Sequence, residues 1–91
     1  RDALTGCFNR AYAMKSLASE LGRARRSMRP LAVILFDIDE FKAVNDRYGH
    51  LVGDATLAAV GARLGAVLRA SDVKCRYGGD EFLIILPDTP A

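Results

Sequence analysis

Two acidic clusters stand where carboxylates are expensive to bury. Asp37 and Asp39 close the apolar run Leu31–Phe36, and Asp80 and Glu81 follow the Gly78-Gly79 pair. Side chains alternate along a strand, so Asp37 and Asp39 are predicted to point one way and Ile38 the other. A carboxylate beside a buried strand is unfavourable unless it is paired or holds a metal ion. Clusters on neighbouring strands would bring at least two carboxylates together, the oxygen-rich setting that Mg²⁺ binds. Mg²⁺ held by one or two carboxylates takes its other ligands from phosphate oxygens and water. Bare glycine backbone lets a phosphate-bearing ligand come close. On spacing alone, the same acids also read as surface strand ends and a hydrophilic turn.

A phosphate also needs donors. Lys42 follows the first cluster at the start of a short predicted helix, where free backbone N–H groups favour anions. It also reads as a solvated surface lysine. Asn45 and Asp54 have the chemistry to read a guanine edge, the carboxylate accepting from ring and exocyclic N–H groups. They also read as helix caps, Asp54 in particular. No P-loop and no G-x-G-x-x-G occurs, so those nucleotide sites are not supported. Cys7 and Cys75 fit no metal or redox spacing and are expected as isolated thiols, a single disulfide being the other reading. With His50 the one histidine, a Cys/His zinc site is excluded.

The elements that must place these residues follow from breakers and periodicity. Arg1 to Asn9 carries Asp2, Thr5, Gly6 and Asn9 and reads as an ordered loop, with Asn9 as a helix cap. Met14, Leu17, Ala18 and Leu21 recur at helical spacing between Arg10 and about Met28. Pro30 ends that helix. Leu31 to Phe36 shows no alternation and reads as a strand covered on both faces. Phe41 to about Tyr48 reads as a short helix stopped by Gly49. Leu57, Val60, Leu64, Val67 and Leu68 make one stripe on a helix from about Asp54 to Arg69. Val73 to Tyr77 and Glu81 to Leu86 read as a hairpin around Gly78-Gly79, through a primed turn needing positive φ. The order helix, strand, helix, strand, strand is α+β or α/β-like, with a crossover helix leading to the hairpin.

Composition sets the outer limits. At 91 residues the chain is one domain at most, and 51% hydrophobic with 26% charged residues is globular, not disordered. A chain of this size buries about 60–65% of its unfolded surface, so the core is thin. No apolar run approaches the ~20 residues of a membrane helix, and no signal-peptide pattern opens the chain. A net charge of +2 speaks against a bulk polyanion binder. Arg23, Arg25, Arg26 and Arg29 read as complements to a helix C-terminus. No aromatics interleave with them, so no nucleic-acid partner is expected.

Four segments then add up to a resemblance. Arg76-Tyr77-Gly78-Gly79-Asp80-Glu81-Phe82 resembles the signature of the GGDEF family, the bacterial diguanylate cyclases. Asp2-Ala3-Leu4-Thr5-Gly6-Cys7-Phe8-Asn9-Arg10 is similar to its N-terminal D-x-L-T-G-x-x-N-R segment. Asp37 to Asp46 is similar to D-x-D-x-F-K-x-x-N-D, and Gly49 to Asp54 to G-H-x-x-G-D. The resemblance implies a nucleotidyl-cyclase palm-type fold, a central β-sheet flanked by helices. It implies condensation of two GTP into cyclic di-GMP with release of two pyrophosphates, in a homodimer of antiparallel domains.

Carried over by position, Asp37, the Ile38 carbonyl and Asp80 would ligate Mg²⁺ or Mn²⁺. Glu81 would serve the second metal position or activate the hydroxyl. Phe41 (through its backbone) and Lys42 would serve the phosphates, Gly78 and Gly79 would border the substrate, and Asn45 and Asp54 would hold guanine. Arg69-Ala70-Ser71-Asp72 matches the R-x-x-D site at which many members bind product and are inhibited. The resemblance covers residues 1–91 but only the first part of the family domain, with about three of its strands. Such a piece is not expected to cyclise GTP unaided. A sensory domain in the parent chain and a cytoplasmic location, where GTP is available, are also implied. The alternative from another class is a module that binds GTP or cyclic di-GMP without turnover.

Overall fold

A computed structural model describes residues 1–90. Helix α1 spans Arg10–Ser27, β1 Leu31–Asp37, α2 Phe41–Tyr48, α3 His50–Val67, β2 Val73–Arg76 and β3 Glu81–Pro87. The expected cap of α1 forms: the Asn9 side chain accepts from the Tyr12 N–H at 2.9 Å. Met28 ends the helix in the left-handed region at φ 60°, and its N–H returns to the Ala24 carbonyl. Pro30 then prevents continuation.

The three strands form one sheet in the order β1-β3-β2, both pairings antiparallel. β1 and β2 therefore run the same way with β3 between them. The α2–α3 pair makes the crossover from one edge to the other, and the hairpin returns β3 to the centre. Phe82, Leu83, Ile84 and Ile85 of β3 are buried on both faces. Leu83 and Ile85 pack with Ala13 of α1 and with Cys75, while Phe82 packs with Leu57 of α3 and with Cys7. The Phe82 ring stacks on Phe36 at 5.4 Å. Buried side chains of this size contribute about 1.5–3 kcal/mol each, so β3 is the main anchor of the fold.

Several expectations are corrected. β1 is not covered on both faces: Val33, Ile34 and Leu35 are 44%, 47% and 57% exposed. That doubly buried role belongs to β3, which has a neighbour on each side, whereas β1 has one among the described residues. On α1, Ala13 and Leu17 meet the sheet and Met14 and Leu21 turn outward. A small residue lets the helix sit close to β2 and β3. α3 starts at His50, not near Asp54, because Gly49 alone breaks the α2–α3 pair with φ 88°. Asp54 is thus inside a helix and caps nothing. The inward face of α3 is built on Gly53, Leu57 and Gly61, and Val67 points out. The two cysteines are free and buried. They belong to different core clusters, Cys75 with Ala13, Leu83 and Ile85 and Cys7 with Leu57 and Phe82.

Candidate functional site

The strand register brings the two acidic clusters together. Asp37 stands directly opposite Glu81, and the Ile38 N–H donates to the Asp80 carbonyl at 3.1 Å, adding one rung beyond the strands. The Ile38 carbonyl accepts from the Phe41 N–H at 3.3 Å. β1 ends at Asp37, so the expected alternation does not reach Asp39, which lies in the turn before α2. Asp37 and Glu81 border one depression, and Asp80 faces a neighbouring cavity. Among the described residues no three acidic, His or Cys side chains surround a single point. The expected ligand set Asp37, Ile38, Asp80 and Glu81 therefore shares one backbone neighbourhood without closing as a cage. Its donor chemistry fits a hard divalent cation: carboxylates plus a peptide oxygen. No salt bridge or side-chain hydrogen bond among the described residues engages Asp37, Asp80 or Glu81. Like charges facing each other across a strand pair repel, so a cation at this end of the sheet would be stabilising.

The cavity beside Asp80 has a volume of about 360 Å³ and is lined by Phe41, Lys42, Asn45, Asp54 and Gly79 as well. Six of the expected residues thus share one wall, and Gly78 lies just outside it. Glu40 precedes α2 at φ 55° and makes no side-chain cap, which leaves first-turn N–H groups open beside Lys42. The Asn45 amide lies against Gly53, in space that a Cβ at that position would occupy. His50, Leu57 and Arg76 also line the cavity. His50 and Arg76 stand inside the resemblance motifs, with no role expected of either.

The hairpin is not the expected primed turn. Neither Gly78 nor Gly79 has positive φ. The Tyr77 and Gly78 N–H groups both donate to the Glu81 carbonyl, at 2.8 and 3.3 Å, closing a wider loop. Gly78 lies against the Glu81 carboxylate, which would have to move aside for a Cβ at this position. At Gly79 a Cβ would meet nothing within 4 Å, so its backbone faces open space. The Gly79 carbonyl accepts from Arg76 Nε at 3.1 Å and Nη2 at 2.8 Å, while Arg76 Nη1 donates to Asp2 Oδ1 at 3.1 Å. Burial of Asp2 opposes its charged form. Hydrogen bonds from the Thr5 hydroxyl and N–H, together with the Arg76 charge, outweigh this and hold the carboxyl below the usual carboxylate range.

Arg69 and Asp72 form a second fork. Arg69 Nη2 donates to Asp72 Oδ1 at 2.7 Å and Nε reaches the same oxygen at 3.1 Å. The Arg69 N–H also donates to Asp72 Oδ2 at 2.8 Å. The Arg69 hydrogen bond keeps the Asp72 carboxyl below its ordinary range and raises the Arg69 value in turn. Arg69 Nη2 further donates to the Pro87 carbonyl and to Thr89 Oγ1. A groove of about 570 Å³ opens alongside, lined by Arg1, Phe8, Tyr12, Arg69, Asp72 and Lys74 among others. Phe8 and Tyr12 stack at 3.9 Å there, with Arg1 over the Phe8 ring.

Sheet topology and site together define an α+β domain whose strand ends carry unpaired acids beside a polar cavity. The comparisons give this class its family. The family model for "Diguanylate cyclase, GGDEF domain" matches residues 1–91. The chain is 47% identical over 88 residues to the response regulator PleD of Caulobacter vibrioides, covering 97% of this chain and 19% of that one. It is 44% identical over 91 residues to the probable diguanylate cyclase DgcC of Escherichia coli, covering all of this chain and 24% of the other. The GGDEF domain of DgcB from Caulobacter crescentus, solved with c-di-GMP, superposes with a TM-score of 0.94 at 33% identity. That match covers 99% of this chain and 51% of the other. The chain belongs to the GGDEF domain family, and its fold is of that type. It spans about half of the solved domain and less than a quarter of these curated relatives. No helix among the described residues is long and apolar enough to cross a membrane.

Proposed function

We propose that these residues form the GTP-binding and acid-bearing part of a diguanylate cyclase, in which two domains, each presenting one GTP, together make cyclic di-GMP. The observation that carries this reading is the register of β1 and β3. It sets Asp37 against Glu81 and ties Ile38 to Asp80, next to a cavity lined by Lys42, Asn45 and Asp54.

In this reading Asn45 and Asp54 hold the guanine edge, the carboxylate accepting from its N–H groups. Lys42 and the open N–H groups of the first turn of α2 hold phosphate oxygens, with the Phe41 backbone at the entry. Gly79 and Gly78 let the triphosphate lie against bare backbone. Asp37, the Ile38 carbonyl, Asp80 and Glu81 would hold Mg²⁺ or Mn²⁺, which supplies charge neutralisation on the phosphates and their alignment. The 3′-hydroxyl of one GTP bonds to the α-phosphorus of the other as the bond to pyrophosphate breaks. Glu81 takes the hydroxyl proton. A second, symmetric step closes the ring and releases the second pyrophosphate. The protein's main contribution is position, which a homodimer of antiparallel domains provides.

Arg69 and Asp72, beside an aromatic and basic groove, suit a phosphate- and guanine-bearing product, and product bound there would inhibit at a distance. GTP supply places the reaction in the cytoplasm, and a sensory domain in the parent chain would control it. The open arrangement of the acids favours one further reading, a module that binds GTP or cyclic di-GMP without turnover. The discriminating test incubates the full-length protein with GTP or ATP and Mg²⁺ and separates products chromatographically. The cyclase reading expects cyclic di-GMP from GTP alone, and loss of that preference in Asp54→Ala. Tight GTP binding with no product supports the binding module and contradicts the cyclase.

A further inference from the structure

The Asp2–Arg10 motif has no part in the chemistry above, yet it touches the signature hairpin from two sides. Both Asp2 carboxylate oxygens are committed: Oδ2 accepts from the Thr5 N–H at 2.9 Å and the Thr5 hydroxyl at 2.7 Å, and Oδ1 accepts from Arg76 at 3.1 Å. The Gly6 N–H donates to the Asp2 carbonyl at 2.9 Å, so the segment is a closed turn. Phe8 fastens that turn to β2 in a parallel bridge: its N–H donates to the Lys74 carbonyl, and the Arg76 N–H donates to its carbonyl. At the far end, Arg10 lies 4.3 Å over the Tyr77 ring and donates to its hydroxyl at 3.3 Å. The hairpin needs such a brace. Two adjacent glycines carry no side chain to anchor them and have the largest conformational freedom to lose. Asp80 is held from both neighbouring peptides: Arg76 grips the Gly79 carbonyl ahead of it, and Ile38 grips its own carbonyl.

We propose that Asp2, acting through Arg76, is a positioning residue for the signature hairpin: it orients the guanidinium fork that fixes the Gly79 peptide and thereby where Asp80 stands at the nucleotide cavity. The inference rests on the cyclase reading. The guanidinium has three arms in use and a fixed planar geometry, so neutralising Asp2 frees it to rotate and releases the Gly79 carbonyl. The neighbouring Asn45 and Asp54 do not touch this network.

The test compares the full-length wild-type protein with Asp2→Asn, which retains size and an acceptor for Thr5, and with Arg76→Gln. GTP turnover with Mg²⁺ is measured alongside Mn²⁺ binding by calorimetry and the thermal midpoint. For Asp2→Asn, kcat is expected to fall about 10- to 100-fold, as displacement of a reacting group by about 1 Å does. KM for GTP should stay within about twofold, and Mn²⁺ affinity should fall with kcat. The double variant should be no worse than Arg76→Gln alone, because both changes cut one linkage. Unchanged kcat in Asp2→Asn, additive losses in the double variant, or a loss explained entirely by unfolding would overturn the proposal. A wild-type protein that forms no product overturns the cyclase reading instead, and Mn²⁺ affinity then decides alone: if it is unchanged in Asp2→Asn, the positioning role is overturned too.

Discussion

Two arginine–aspartate pairs sit in this small domain in opposite settings. Arg76 and Asp2 lie 74 residues apart in the chain, and their side chains are 21% and 23% exposed. Arg69 and Asp72 are three residues apart in a surface turn, and the arginine side chain is 52% exposed. The long-range pair joins three segments and spends every arm of its arginine internally. The local pair holds its aspartate firmly but presents its arginine beside a wide groove. The same two residue types therefore give a long-range fastener in one place and a surface turn clasp beside a groove in the other. Burial and sequence separation decide which.

The sharpest way to break the contrast is Arg76→Ala. It removes both donors to Gly79 and the partner of Asp2, so kcat per folded molecule should fall about 100-fold. The hydrogen bonds lost are charge-assisted and partly solvated, so stability should drop by only about 1–2 kcal/mol in a denaturant titration. A large stability loss with normal turnover would make this pair a scaffold element and nothing more. Arg69→Ala comes next. Its effect should appear in product inhibition, with the concentration of cyclic di-GMP needed for half-inhibition rising at least about tenfold. Unaltered inhibition would reduce the fork to a turn clasp.

Acid titration separates the pairs less strongly but in a defined direction. Asp2 and Asp72 both have depressed carboxyl pKa values in the folded state. Each thus contributes stability that is present above the usual carboxylate range and disappears as pH falls through the folded value. Asp2→Asn and Asp72→Asn should each flatten the acid limb of a stability–pH curve, and a limb as steep as wild type would deny the linkage. The smallest effect is alkaline. Burial, with the nearby Cys7 thiol, pushes Cys75 up to about 11 from 9.0. The folded state therefore keeps its proton longer, and stability should decline from about pH 9 upward. In the native protein at pH 8, Cys75 should resist iodoacetamide, as read by mass spectrometry, because the thiolate is the nucleophile.

What could be read beforehand follows the same division between local and distant. Asn9, Pro30 and Gly49 act on their immediate neighbours, and the boundaries of α1, β1 and α2 were accordingly legible. The meeting of the two acid clusters was legible from their place at the ends of neighbouring strands, but the alternation expected of Asp37 and Asp39 was not, because β1 ends at Asp37. The doubly buried strand was misplaced because burial depends on neighbours in the sheet, and an apolar run looks the same at an edge as at the centre. The start of α3 was missed because one glycine suffices to separate two helices there. The turn at Gly78 was misread: the backbone there does not enter the positive-φ region, because the loop closes more widely through the Glu81 carbonyl. Arg76 stood in plain view in the signature, but its partner Asp2 is at the other end of the chain. No periodicity joins them, and only the fold brings them together.

Under the cyclase proposal, the facing acids at the ends of β1 and β3 serve GTP condensation. The most direct measurement is chromatographic product analysis of the full-length protein with GTP and Mg²⁺, beside the same protein carrying Asp80→Ala. The expected result is cyclic di-GMP from the unaltered protein and none from Asp80→Ala, with both folded by circular dichroism. Cyclic di-GMP formed by Asp80→Ala at the unaltered rate would contradict it.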